Sequence, residues 1–336
     1  RSWGPIEPFD CSMPQRLKEN GVHTHLVSDH YHYWEDGGAT YHTRYSTWES
    51  SRGQEGDPWK GVAQEPEIPP HVGDFDKKPH LAELFRQDLI NRSYMEWEHE
   101  QPQAKTFRAG LEFLQRNREN DNWFLQIETF DPHEPHYVSQ HYKQLYGDDY
   151  EGPLFDWPFP RPVSESEEEV QHELNNYSAL VSMCDRYLGT VLDAFDRYNL
   201  WEDTLLIVTT DHGYMLSEHG WWGKNVMPFY SEIAEVPMFV WDPRSRRSGQ
   251  RCSGLTQMID IAPTLYAYFG VEPAPHMQGR DLAALISGAT DAHHDAVLFG
   301  THGGHVCVTD GRYVYMRGPA SSENAPLYQY TLMPTH

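Results

Sequence analysis

Six apolar and β-branched residues in a row, Leu205-Leu206-Ile207-Val208-Thr209-Thr210, stop abruptly at Asp211-His212-Gly213. A run with no polar face reads as a strand covered on both sides, and such strands belong to largely parallel sheets with helices above and below. In those sheets the loops at the carboxyl ends of the strands carry the chemistry. A carboxylate and an imidazole at such an end, followed by a glycine free to turn, are donors that suit a divalent cation. The same three residues can also do no more than cap a strand-to-helix turn.

The rest of the chain alternates in the same way. Met13 to Asn20 reads as a helix closed by Gly21, Thr24 to Ser28 as a strand, and the next thirty residues as loop. Phe107, Leu111 and Leu114 recur at helical spacing between Lys105 and Asn120, and Trp123 to Thr129 is a predicted buried strand running into Asp131-Pro132-His133-Glu134-Pro135. The proline-rich, aperiodic stretch from Gly147 to Pro162 reads as a surface excursion. Acids from Glu165 to Glu169 favour a helix start, after which Val170, Leu174, Tyr177, Val181, Cys184, Leu188, Val191 and Phe195 form one apolar stripe. Val236 to Val240 is another strand and Met258 to Phe269 a helix ending at Gly270. Val297 to Arg317 gives two or three strands turning at Thr309-Asp310-Gly311-Arg312. The predicted architecture is α/β. Residues 1–290 form a domain with a largely parallel, mixed sheet and helices on both faces, and residues 291–336 a small antiparallel C-terminal subdomain.

Charge narrows the partners. Lys and Arg number 26 against 50 Asp and Glu, a net −24 that repels phosphate backbones and anionic membranes. Nucleic acid is therefore not an expected partner, and no stretch approaches the roughly 18 apolar residues of a membrane span. An anionic substrate would need a local cluster of cations to reverse the field. Cys11, Cys184, Cys252 and Cys307 lie far apart without a C-x-x-C pair and read as mostly buried thiols. The stretch from Asp29 to Gly61 is rich in His, Trp and Gly, which suits stacking on sugar rings and suits internal packing of a long loop equally well. Nothing in the sequence names a compartment.

Downstream of Asp211-His212-Gly213 come Ser217-Glu218-His219-Gly220-Trp221-Trp222-Gly223-Lys224, then Tyr230, Glu232 and the Val236-Pro237 strand. In order and spacing this resembles the sulfatase family of the alkaline phosphatase superfamily, whose members carry a T-x-D-N/H-G strand end, E-H-G-x-x-G-K, Y-E and a V-P strand. Asp260-Ile261-Ala262-Pro263-Thr264-Leu265 and Gln278-Gly279-Arg280-Asp281-Leu282 look like further family elements, as do Pro132-His133-Glu134-Pro135 and Leu17 to Thr24 upstream. The resemblance implies an alkaline-phosphatase-like fold and a metal-dependent sulfuric ester hydrolase, its substrate a small-molecule or carbohydrate sulfate ester. It implies Asp211 and His212 as ligands of the cation, and Lys224 and His133 as catalytic groups on the ester's anionic oxygens. Calcium is the implied ion; an imidazole beside the carboxylate also admits manganese or zinc.

Two departures from the family pattern matter. Its G-K-W-H element falls near Ser28 to His32, where strict alignment puts Asp29 and Tyr31 at the substrate-binding Lys and His, and a one-residue offset puts His30 and His32 there. The histidines are preferred here, and they would make substrate binding pH-sensitive. The family's first strand with its paired aspartates, and its C-x-P-S-R nucleophile motif, have no counterpart in the 336 residues. Cys11-Ser12-Met13-Pro14-Gln15-Arg16 has one residue too many between Cys and Pro and lies too close to Gly21 to replace it. The expectation is a chain lacking its natural N-terminus and, at Pro334-Thr335-His336, cut at its end as well, inactive as it stands. Two alternatives remain: a phosphonate monoester or phosphodiester hydrolase of the same superfamily, and a non-catalytic, sugar-binding relative.

Overall fold

The computed structural model describes residues 4–333, except 74, 322 and 329 and the side chain of residue 76; Arg1 and Pro334-Thr335-His336 lie outside them. At its centre β1 (His23–Ser28) runs parallel to β2 (Thr47–Ser50) on one side and to β3 (Trp123–Glu128) on the other. Helix α1 (Met13–Glu19) leads into β1, with Pro14 in its first turn and Gly21 at φ 87° after its end, the conformation that favours glycine. The stretch read as loop also holds a 3-10 turn (Tyr31–Trp34), α2 (Ala39–His42) and β2 itself. Every residue of β2 is exposed, so it has no apolar alternation to betray it.

The helices α3 (Pro79–Arg92), α4 (Pro102–Asn117) and α5 (Gln140–Lys143) precede the 32-residue α6 (Glu167–Tyr198). A capping box between Ser166 and Glu169 starts α6, worth about 1 kcal/mol, and Asn199 ends it in the left-handed region. Phe107 and Leu114 of α4 meet Val191, Ala194 and Phe195 of α6 in one core. Gly110 lets α4 come down onto β3: a Cβ there would sit 2.5 Å from Ile127 Cδ1.

Beyond α6 lie β5 (Leu206–Thr209), β6 (Met215–Leu216), β7 (Trp221–Gly223) and β8 (Met238–Trp241), with β4 (Arg161–Pro162) pairing to β7 from upstream. The short α7 (Ser231–Ala234) precedes β8, and α8 (Ile261–Phe269) and α9 (Ala283–Ile286) follow it. Strands β9 (Val297–Gly300), β10 (Val306–Thr309) and β11 (Val314–Arg317) make the antiparallel C-terminal sheet. Its β10–β11 turn is held by Asp310, whose Oδ1 accepts the N–H groups of Arg312 and Tyr313.

Several expectations need correction. Strand β5 is not covered on both sides: all four residues are half-buried, and among the described residues it pairs with β8 alone, in antiparallel sense. Trp123, Leu125 and Ile127 of β3 and Leu206 of β5 pack on the same core under α4 and α6, while Phe124 faces the core of α1 and α8. The two strands thus share a layer, yet among the described residues no ladder joins them, and each is paired on one edge only. The segment 147–162 is no surface excursion at its end. Phe155, Asp156 and Trp157 are buried, Trp157 in a core with Phe75 and Phe85, and Asp156 on the Arg92 guanidinium at 2.5 Å. The apolar stripe of α6 holds only in its second half. In the first half Val181 is exposed and His172, Glu173 and Asn176 are buried, because Glu173 pairs with buried His136 at 2.5 Å and Asn176 donates to the Phe155 carbonyl. The thiols are not mostly buried either, since Cys11 and Cys252 are exposed, Cys184 is half-buried and only Cys307 is fully enclosed.

Candidate active site

Four loops at strand ends supply the residues singled out by sequence. The loop after β3 carries His133, fixed by its N–H to the Phe130 carbonyl at 2.9 Å and by its ring against that of Phe130, centroids 4.2 Å apart. Lys224 follows β7 directly, where Gly223 at φ 94° packs on Pro160 too closely for a side chain. Its Nζ lies 2.5 Å from His133 Nε2 and 3.2 Å from Glu134 Oε2, with its side chain only 11% exposed. An ammonium can only donate, so His133 Nε2 is the acceptor and Nδ1 carries the proton, given to the Glu134 carbonyl at 2.5 Å. Burial drives His133 down to about 4, with the Lys224 charge assisting and Glu134 opposing. Burial would raise Glu134 in turn, but His133 and Lys224 hold it below its usual range.

His30, just past β1, packs on the same Phe130 ring as His133, its own centroid 5.4 Å from that ring's. Burial takes it to about 4, helped by His32, His133 and Lys224 and opposed by Asp211, which places five of the six singled-out residues in one electrostatic neighbourhood. His30 and His32 stand edge to face at 4.9 Å, and His32 Nδ1 pairs with Glu35 at 2.8 Å. Asp29 and Tyr31 are engaged by other groups. Asp29 is fully buried, accepting the Phe130 N–H at 2.6 Å and, with Asp131, the Gln54 amide. Tyr31 is buried with its hydroxyl on Glu55. Much of the His- and Trp-rich stretch packs on itself, as His42 does between Trp34 and Trp48.

Asp211 and His212 sit after β5. Gly213 allows the turn, since a Cβ there would meet the Glu232 carbonyl oxygen at 1.9 Å. His212 Nδ1 is bonded to the Gly213 carbonyl at 2.9 Å, which turns Nε2 toward Asp211 Oδ2, 3.5 Å away. That separation suits two ligands of one ion, and a backbone carbonyl on the far ring nitrogen is how ligating histidines are usually oriented. Asp211 is 80% exposed, so this pair alone leaves most of a divalent ion's shell to other donors. Glu128 at the end of β3 feels Asp211 as well: burial raises its carboxyl, and the Asp211 charge adds to the shift.

Sequence reasoning passed over Glu55 and Glu134. Burial raises Glu55 to about 8, with Glu134 adding and Tyr31 and Lys224 opposing, while Glu134, 3.2 Å from the ammonium, stays below its usual range. Glu134 lay within a motif already quoted, but Glu55 sits in an irregular loop with no signal around it. Cys11 is exposed and lies against Tyr266 of α8. A cavity of about 390 Å³ lies to one side, lined among others by Trp59, Arg52, Lys105 and Arg108, and holds none of the residues above.

Comparison with known proteins bears on the family and the fold. An arylsulfatase of Clostridium perfringens is 26% identical over 264 residues, which cover 70% of this chain and 54% of the relative, so the chain spans about half its length. The solved structure of BT4656 in complex with its substrate D-glucosamine-2-N,6-O-disulfate superposes with a TM-score of 0.66 at 14% identity, over 94% of this chain and 74% of that one. A phosphonate monoester hydrolase from Silicibacter pomeroyi gives 0.69 at 17% identity, over 95% and 73%. The Sulfatase family model matches residues 4–271, and the chain accordingly belongs to the sulfatase family of the alkaline phosphatase superfamily.

Proposed function

We propose that this chain carries the sulfuryl-binding part of a metal-dependent sulfate ester hydrolase acting on a sulfated carbohydrate. The observation behind the proposal is the Lys224–His133 contact at 2.5 Å inside a chain of net charge −24. A half-buried ammonium and an imidazole that can gain a proton beside an anion supply a local sign reversal, and both would stabilise charge moving onto the ester oxygens. His30 and His32 would hold further oxygens of the substrate. A divalent ion on Asp211 and His212, calcium first with manganese or zinc as the alternatives, would polarise the ester when bound. Arg52, Lys105 and Arg108 bring cations to the neighbouring cavity alongside Glu49 and Glu112, in keeping with an anionic sugar, while the Trp59 ring there is covered by Lys60 at 4.1 Å and Lys105 at 5.5 Å. The 336 residues contain no C-x-P-S-R sequence, and the proposal assigns a formylglycine-type nucleophile to a segment outside them.

The test is a protein extended upstream through a C-x-P-S-R or S-x-P-S-R segment and matured, assayed on an aryl sulfate, a glucosamine 6-sulfate and a phenyl phosphonate. Turnover of the sulfates that is lost with Lys224→Ala supports the reading, as does no turnover by the 336 residues alone, because covalent catalysis goes with its nucleophile. Faster turnover of the phosphonate would favour the phosphonate hydrolase, and binding of the sugar without turnover would favour a sugar-binding relative.

A further inference from the structure

The segment that leads into β9 folds two histidines back onto the start of α8. Asp260 there is fully buried; its Oδ2 accepts the Gln257 N–H and its Oδ1 the Arg280 N–H, each at 2.8 Å. His294 Nε2 lies 2.9 Å from Oδ2 and 3.1 Å from Oδ1, and His293 Nε2 lies 3.6 Å from Oδ2. The side chains of His293 and His294 are 7% and 10% exposed, and the three residues each offer a donor atom within 4.8 Å of the others. Among the described residues no other group of three or more His, Cys, Asp or Glu converges in this way.

One atom decides how the cluster is read. His293 Nε2 is buried without a hydrogen-bond partner, and 3.6 Å is too long for a bond to the carboxylate. Left so, a buried polar nitrogen costs about 1–3 kcal/mol. A His294–Asp260 hydrogen bond accounts for His294 and leaves His293 unexplained, whereas a shared cation accounts for both. Ligands about 2.0–2.1 Å from a tetrahedral zinc ion stand roughly 3.3 Å apart. The two His–Asp separations, 2.9 and 3.6 Å, lie on either side of that value. The two N–H groups on Asp260 fix the carboxylate from behind, and the Arg280 guanidinium fixes the histidine backbone through the His293 carbonyl at 2.8 Å.

We propose that Asp260, His293 and His294 bind one zinc-type divalent ion, with water as fourth ligand, at a site separate from Asp211 and His212. Two imidazoles and one carboxylate select such an ion over calcium, which takes oxygen ligands. Bound there, the ion ties the start of α8 to the strand entering the C-terminal sheet. It does not depend on the proposed enzymatic activity.

The experiment uses the full chain, stripped with chelator and titrated with Zn²⁺ against a competing dye and with Co²⁺ followed by visible absorption. One tightly bound equivalent, the absorption of a four-coordinate Co²⁺ and a higher Tm with zinc are expected. His293→Gln, which keeps a polar group of similar size, is expected to weaken zinc about tenfold or more, while a variant carrying both Asp211→Asn and His212→Gln keeps the equivalent. No bound equivalent or no four-coordinate cobalt spectrum in the unaltered chain overturns the proposal whatever the variants do, and so does a folded His293→Gln that binds zinc as tightly as the parent.

Discussion

Lys224 donates to His133: with Nζ 2.5 Å from Nε2, the imidazole is held neutral and in a single tautomer, its other nitrogen donating to the Glu134 carbonyl. In the upstream-extended enzyme, replacing either residue by Ala is expected to lower kcat by about 10²–10³-fold, the usual cost of removing one donor from a developing anion. Lys224→Ala should also let the His133 pKa rise from about 4, because the ammonium contributes to its depression after burial. Imidazole NMR read alongside turnover checks both; a His133 that titrates unchanged in the variant would separate the two groups.

His133 and the buried Asp29 set opposite pH dependences. With its folded pKa lowered from 6.5 to about 4, His133 leaves the unfolded chain binding more protons in that interval, so its contribution is full above 6.5 and is lost as pH falls. Asp29 is raised by burial from 3.8 to about 7, so the folded chain holds the extra proton and stability is lost as pH rises through that interval. Asp29→Asn keeps a side-chain oxygen for the Phe130 N–H and removes the titration. Relative to the parent it should therefore gain stability between pH 4 and pH 8, measured by urea unfolding at both ends.

Calcium should bind the 336-residue chain weakly. One carboxylate and one imidazole neutralise only part of a divalent ion and leave the remaining positions to water. Calorimetric titration is expected to give a Kd well above about 1 μM, the affinity that corresponds to about −8 kcal/mol. Micromolar or tighter calcium lost with Asp211→Asn would mean that further donors of this chain complete the shell.

Arg92 is the expected weak point for stability. Its guanidinium, 10% exposed, lies 2.7 Å from Asp88 and 2.5 Å from Asp156, joining α3 to the segment between α5 and β4. Arg92→Ala leaves a buried carboxylate without its counterion, a change that typically costs about 3–5 kcal/mol. Denaturant unfolding should show that loss with little change in m; a loss under about 1 kcal/mol would mean that Asp156 finds another partner.

What could be read from the sequence was what is written locally. α1 with Gly21, the Phe107, Leu111 and Leu114 face of α4, β3 and β5 all announce themselves within a dozen residues, and so does the Asp310–Gly311 turn. The elements that were misread depend on partners far along the chain. β2 has no apolar side to reveal it, since all four of its residues are exposed and its ties to β1 are the ladder and polar contacts such as Thr47 Oγ1 with His25 Nδ1 at 2.7 Å. Phe155 and Trp157 lie in a stretch without periodicity, and the first half of α6 buries Glu173 and Asn176 because His136 and the Phe155 carbonyl receive them. Asp260 could be seen in its motif, but nothing near it says that residues 293 and 294 return to it.

The pairing of β3 and β5 on one edge each has a consequence on the clock of amide exchange. β1, hydrogen-bonded to a neighbour on each side, has all its ladder amides engaged. In β3 alternate N–H groups turn toward β1, and the ones between face the open side; in β5 only the amides turned toward β8 are held. Such amides need no unfolding to meet water, so their protium should wash out in deuterium oxide at rates approaching those of a loop, while their immediate neighbours on the same strand wait for the whole core to open. A strand that ticks alternately fast and slow along its length is the signature of one paired on a single edge.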